Sequence, residues 1–285
     1  MNDFPKIHTV TGKFMILPRD HVHAYVVEFE NSVVVVDTTL ALSSASDIRR
    51  LVDATGKPLE AVLLTHGHPD HYTGLVKFQE VPCLASQGCF DFAHREDIVK
   101  ADTAKMYLGA EFPEVRAFPT EIVHDGDQFT FGGVQFTFTD LGPGESDSDG
   151  MWSFEKDGTR VAFVGDAVAN RTHCFFRDGH TSEWLRILDR LEKEFAFEDT
   201  LLYIGHGATP STTEAIEWQR GYIQTYVAFM HALEDKSVPV SRETQEELIA
   251  AMKRYLPGNA ALFLLDYEMD VFMGRFLGAE VEAAH

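Results

Sequence analysis

The chain has 285 residues, 45% of them hydrophobic and 24% charged, which is enough apolar material for a substantial core and excludes a disordered chain or a staple-dependent mini-protein. Its 24 basic and 45 acidic residues leave a formal charge of −21; nucleic acids and anionic membrane surfaces are bound chiefly through Lys and Arg, so neither is an expected partner. Cys83, Cys89 and Cys174 lack paired spacing and read as free thiols; the opening MNDFPKIHTV has no apolar h-region. A cytoplasmic protein is therefore the expectation.

Residues 24–29 and 32–37 are β-branched and aromatic runs around Glu30-Asn31, which predicts a strand pair. The second run, SVVVVD, is almost wholly apolar, as a strand buried on both faces requires. A helix over 43–53 and a short buried strand over 60–64 follow, then a helix over 73–79 and a strand over 82–85. Residues 87–112 are mostly helical or irregular, and 87–118 read as an insertion. Strands return over 121–140, where Val134, Phe136 and Phe138 alternate with polar residues. Asp157-Gly158 joins strands 151–155 and 160–165. Trp184, Leu188, Leu191 and Phe195 mark an amphipathic helix over 184–195, and 201–204 is a last strand. Beyond it, Ser211 and Glu214 have the spacing of a capping box for a long helix, followed by helices over 241–255 and 259–277.

The informative stretch is Thr65-His66-Gly67-His68-Pro69-Asp70-His71, directly after a buried strand. Three imidazoles and a carboxylate in six residues suit zinc, iron or manganese, and Gly67 and Pro69 argue for a turn rather than a helix. Three later strand ends carry further candidates. Glu145 lies in Leu141-Gly142-Pro143-Gly144-Glu145-Ser146, Asp166 ends Val164-Gly165-Asp166, and His206 sits in Ile204-Gly205-His206-Gly207. Alone, Asp166 would be read as a cap or turn residue and His206 as a loop residue. Their order after the first loop is what sets them apart. Asp147 and Asp149 read as residues that solvate the Glu145 loop. No Gly-x-Ser-x-Gly elbow, His-Glu-x-x-His helix or Gly-rich phosphate loop competes.

The His-x-His-x-Asp-His stretch and the ordered later residues resemble the metallo-β-lactamase superfamily over roughly 14–210. The resemblance implies an α+β fold, a four-layer αββα sandwich spanning 1–210, with 211–285 as a C-terminal helical extension packed on it. It implies two divalent metal ions, zinc by family habit. His66 and His68 would hold the first ion, Asp70 and His71 the second, Asp166 would bridge them, and His206 would complete the set. The family usually has a histidine where this chain has Glu145. A carboxylate there adds negative charge and hardness, which favours iron or manganese. Catalytic roles fall to Asp70 and Asp166.

The activity so implied is hydrolysis of an ester, thioester, lactone or amide bond in a small, partly apolar substrate. An iron-dependent oxidoreductase of the same superfamily and a non-catalytic metal-binding protein with a degraded site are the alternatives. Tyr72, His23 and His173 are candidates for touching substrate, with His21 and His180 as further ring candidates; each could equally pack. The aromatic residues of 211–285, Trp218, Tyr222, Tyr226, Phe272 and Phe276 among them, either pack on the sandwich, wall the pocket or form a homodimer face.

Overall fold

A computed structural model describes residues 5–13, 21–196, 199–265 and 269–283. Six strands form the first sheet in chain order: β1 (Lys6–Lys13), β2 (His21–Glu28), β3 (Val33–Val36), β4 (Leu59–Leu63), β5 (Cys83–Ser86) and β6 (Glu121–Val123). The first three are antiparallel, and β3 to β6 run parallel. The second sheet has β7 (Gln128–Phe131), β8 (Val134–Gly142), β9 (Asp149–Lys156), β10 (Thr159–Gly165) and β11 (Asp199–Ile204), in the order β11-β10-β9-β8-β7.

The run of valines in β3 shows why the sheets stack as they do. Val34 and Val36 face the second sheet, where they meet Phe136, Phe138, Trp152 and Phe163. Val33 and Val35 face outward under Ile48 and Val52 of α1 (Leu42–Thr55). Such a strand is buried twice, each fully buried Val contributing about 1.5–3 kcal/mol. α3 (Gln87–Leu108) also lies by this sheet, and α4 (Thr181–Glu194) covers the other through Trp184, Leu188 and Leu191. The layers are helix, sheet, sheet, helix. α5 (Glu214–Ala232), α6 (Arg242–Tyr255) and α7 (Met269–Ala283) continue the α4 layer, and Tyr222, Tyr226, Met230, Leu248, Phe272 and Phe276 enter its core. Tyr222, Tyr226, Phe272 and Phe276 are thus buried within the chain, while Trp218, Phe229 and Tyr255 are partly so.

Five sequence expectations change. β1 carries no strong pattern and was not expected; its register against β2 makes it a strand. The 73–79 helix is instead α2 (Pro69–Tyr72) followed by a 3-10 turn, Thr73–Lys77. Pro69 starts α2 at its first position, where a missing N–H costs nothing, so the proline favours the helix it was expected to resist. Ser211 does not cap α5, because its backbone pairs with Leu202 of β11 in both directions, at 2.8 and 2.7 Å. α5 starts at Glu214 without a side-chain cap. The last expected helix is a 3-10 turn, Leu262–Leu265, and α7, with 266–268 outside the described residues. No helix among the described residues is long and apolar enough to cross a membrane.

β8 is antiparallel to β9, and β9 to β10, while β10 and β11 are parallel. The C-terminal ends of β8, β10 and β11 therefore share one edge of the second sheet. Cross-links bring the end of β4 and the start of β2 to the same edge: Gly150 N–H donates to Thr65 O at 2.8 Å, Trp152 Nε1 to Leu64 O at 2.9 Å, and His23 N–H to Gly205 O at 2.9 Å.

Candidate metal centre

At that edge seven buried side chains fall into two groups. The first is His66, His68 and Glu145, and the second is Asp70, His71, Asp166 and His206; within each, one ligand atom per residue lies within 4.8 Å of the others. Glu145 Oε2 is 2.8 Å from His68 Nδ1 and 3.5 Å from His66 Nε2. His206 Nε2 is 3.1 Å from both Asp70 Oδ2 and Asp166 Oδ2, and His71 Nε2 is 3.5 Å from Asp166 Oδ1. Asp166 also approaches His66 Nε2 at 4.0 Å, so it stands between the groups.

Local structure aims each residue. His68 is extended just ahead of α2, and the helical turn returns Asp70 and His71 to the same side as His66. Glu145 is presented by Asp149, which accepts from the N–H of Glu145 at 2.7 Å and of Ser146 at 3.3 Å, and from Ser146 Oγ at 2.8 Å. Burial, with Glu145 nearby, pushes the Asp149 carboxyl up to about 8. Asp149 is thus an internal brace, contrary to the expectation that it solvates the loop. Asp147 is partly exposed and pairs with Arg95 at 2.6 Å and His180 at 2.6 Å. Gly205 is required by closeness, since a Cβ there would collide with the Asp166 carboxylate.

The far nitrogen of every imidazole is occupied. His71 Nδ1 donates to Asp37 Oδ2 at 2.9 Å, His68 Nε2 to Asp178 Oδ2 at 3.0 Å, His206 Nδ1 to the His21 carbonyl at 2.6 Å, and His66 Nδ1 to Thr65 Oγ1 at 3.1 Å. In the neutral rings these acceptors would leave a lone pair on His66 Nε2, His68 Nδ1, His71 Nε2 and His206 Nε2, all turned inward, which is how metal-binding histidines are oriented. His66 Nε2, His71 Nε2, Glu145 Oε2 and Asp166 Oδ1 are buried without a hydrogen-bond partner, and Glu145 Oε2 lies 2.8 Å from His68 Nδ1. Each such atom costs about 1–3 kcal/mol if left so. The donor set fits a pair of divalent cations.

Charge argues the same way. Burial lowers the His66 ring, and His71 adds to this. Burial also opposes the charged forms of the other three rings, yet Glu145 holds His68 up at about 10, and Asp166 and Asp70 hold His71 and His206 well above the ordinary range. Buried carboxylates at this density need positive charge among them, supplied by protons or by metal ions.

Three positioning groups were not legible from sequence. Asp37 ends β3 in the left-handed region, at φ 56°, and accepts from the N–H and Oγ1 of Thr65 as well as from His71. An acid closing a valine run was the available signal. Asp178 lies 110 residues from His68 and carried none. Arg275 of α7 donates to Asp178 O at 2.7 Å and to its Oδ1 at 3.4 Å, which ties the C-terminal helices to the partner of His68.

A cavity of about 80 Å³ opens over both groups, walled chiefly by Leu40, Ala104, Phe175, Trp184 and Leu264. His173 lines it, with its ring bonded to Tyr222 Oη at 2.7 Å and Gly258 O at 3.2 Å. His23 and Tyr72 are not among its lining residues. His23 braces the His206 loop, donating to Gly207 O at 2.8 Å. Tyr72 is buried on Phe118 and bonds Asp97 at 3.2 Å. The His21 ring is exposed, and only its carbonyl serves the site.

The model of the metallo-beta-lactamase superfamily matches residues 17–206. An alkyl/aryl-sulfatase of Saccharomyces cerevisiae is 23% identical over 64% of this chain, and an uncharacterized protein of Mycobacterium leprae is 31% identical over 44% of it. The matches span only 34% and 58% of those two proteins. Among solved structures, a metallo-beta-lactamase family protein from Thermus thermophilus aligns over 97% of this chain and 94% of its own, with a TM-score of 0.68 at 22% identity. A double mutant of a sec-alkyl sulfatase aligns over 86% of this chain and 50% of its own, with a TM-score of 0.59 at 18% identity.

Proposed function

Because the chain belongs to the metallo-beta-lactamase superfamily, we propose that it is a hydrolase that holds two divalent cations and cleaves an ester-type bond in a small, partly apolar substrate. The observation that carries this is the set of four buried ligand atoms without a hydrogen bond, on His66, His71, Glu145 and Asp166, in a cluster whose Glu145 and Asp166 line a mostly apolar cavity. His66, His68 and Glu145 would hold one cation, and Asp70, His71 and His206 the other, with Asp166 between them. When bound, such a pair polarises a carbonyl oxygen and lowers the pKa of water towards about 7. Zinc suits the four imidazoles, and iron or manganese the three carboxylates.

The chain's own part is positional. Asp37 and Asp178 fix two imidazoles. Asp70, at the cavity wall, offers a carboxylate that can accept a proton from the attacking water. Phe175, Trp184 and Leu264 keep bulk water from the reacting bond and bind the apolar part of the substrate. The two sulfatase relatives make alkyl sulfates a further ester class for the assay.

The test is turnover of p-nitrophenyl butyrate and an alkyl sulfate by protein as purified, after chelator treatment, and after addition of zinc, manganese or iron. We expect activity that the chelator abolishes and one of these metals restores. Full activity after the chelator has removed all metal would contradict the proposal. Oxygen uptake by the iron-loaded protein, without ester cleavage, would move it to the oxidoreductase reading.

A further inference from the structure

The cavity has one feature that metal binding does not use. Among the described residues lining it, Lys100 is the only lysine or arginine. It belongs to α3, in the segment expected to be an insertion. Its side chain is 14% exposed, its ammonium lies 5.0 Å over the Phe175 ring, and it contacts Glu96 Oε2 at 2.5 Å. Glu96 does not serve Lys100 alone. That carboxylate, 3% exposed, also takes Arg177 Nη1 at 3.3 Å and Arg95 Nε at 3.7 Å. An ammonium has three N–H donors, and Glu96 fixes the direction of one.

The remaining wall is mostly apolar, with Thr103 and Thr172 uncharged, and its imidazole outside the metal cluster, His173, has its pKa lowered by burial and so tends to neutrality. A cation kept in a low-dielectric pocket interacts strongly with an anion that enters and leaves its water behind. Lysine carries a cost of burial that a purely apolar wall would avoid, in a chain whose excess charge is acidic.

We propose that Lys100 is an anion anchor and that the substrate is an amphiphile. Its ester-type bond lies at the metal centre, its apolar body lies against Phe175, Trp184 and Leu264, and a carboxylate or sulfate remote from the reacting bond pairs with Lys100. This rests on the hydrolase reading and names the substrate class for that same site.

The experiment compares two esters, neutral p-nitrophenyl butyrate and mono-p-nitrophenyl glutarate, whose acyl chain ends in a carboxylate. Wild type, Lys100→Gln and Lys100→Arg are assayed as metal-loaded full chains, with circular dichroism confirming their fold. In Lys100→Gln the ratio of kcat/KM for the glutarate to that for the butyrate falls at least tenfold, mainly through KM, and Lys100→Arg restores part of it. An unchanged ratio overturns the anchor. Calorimetric binding of octanoate, octyl sulfate and neutral octanamide separates this from the hydrolase question. A tenfold weaker binding of either anion in Lys100→Gln, relative to octanamide, supports the anchor and identifies the head group. Equal affinities of wild type and Lys100→Gln for both anions overturn it. If the wild type cleaves no ester, the hydrolase reading fails while the binding arm still decides the role of Lys100.

Discussion

Asp166 and His206 follow the ends of β10 and β11, Asp70 and His71 sit on α2, and the supports of His71 and His206 come from the sandwich itself. Asp37 at the end of β3 aims His71, and the β2 carbonyl of His21 aims His206. The supports of His66, His68 and Glu145 are of more varied origin. His66 leans on Thr65, but His68 is aimed by Asp178 from the loop before α4, itself clamped by Arg275 of α7, and Glu145 is presented by Asp149 at the start of β9. One half of the centre is thus set by the sheets, while the other also depends on the C-terminal extension. The lesson is that ligands close in sequence can have supports of quite different origin, so the two positions can differ in affinity although one seven-residue stretch supplies four of the seven side chains.

Substitutions break or sharpen this contrast. The largest effect is expected from Asp166→Ala, which removes the one carboxylate placed between the groups. Both positions weaken together, and kcat/KM for p-nitrophenyl butyrate falls about a thousandfold or more, as losing several kcal/mol of stabilisation implies. Steady-state kinetics with metal analysis checks it. Asp37→Asn and Asp178→Asn come next. Each keeps the shape of its side chain and loses the charge that orients an imidazole. Each lowers the metal affinity of its own half about 10- to 100-fold, and competition titrations with a fluorescent chelator should show the two variants weakening different binding steps. The smallest effect belongs to Arg275→Met. Asp178 keeps its bond to His68 but loses its clamp, so the affinity of the first position falls by a few-fold while the second holds. Equal weakening of both positions by Asp178→Asn would remove the distinction drawn above.

The seven side chains that the fold gathers were legible in the sequence because of where they stand. Six of them have the family's residue types at the expected strand ends, and Glu145 could be placed by order after the alternating strand that is now β8. The braces were not legible, because their meaning lies in contacts across the fold. Nothing near Asp178 in the chain points to His68, and Asp37 is one acid among many until its φ and its three donors are seen. Local rules failed for a similar reason at Ser211, whose backbone is taken by β11 before it can cap α5. At Pro69 the rule was applied to the wrong position, since a proline that breaks a helix interior is at ease at its start. β2 to β4 were readable from their apolar runs. β1, with its exposed and buried residues out of regular alternation, was readable only from its partner.

The claim on which all this depends is that two cations share the cage. Its most direct test is element-resolved metal content per chain, measured on the wild type, Glu145→Ala and Glu145→His after loading and extensive dialysis. We predict close to two ions in the wild type, close to one in Glu145→Ala, and a return to two when histidine supplies the missing ligand. A wild-type chain that retains no tightly held metal, or a Glu145→Ala variant that retains both ions, would contradict the account.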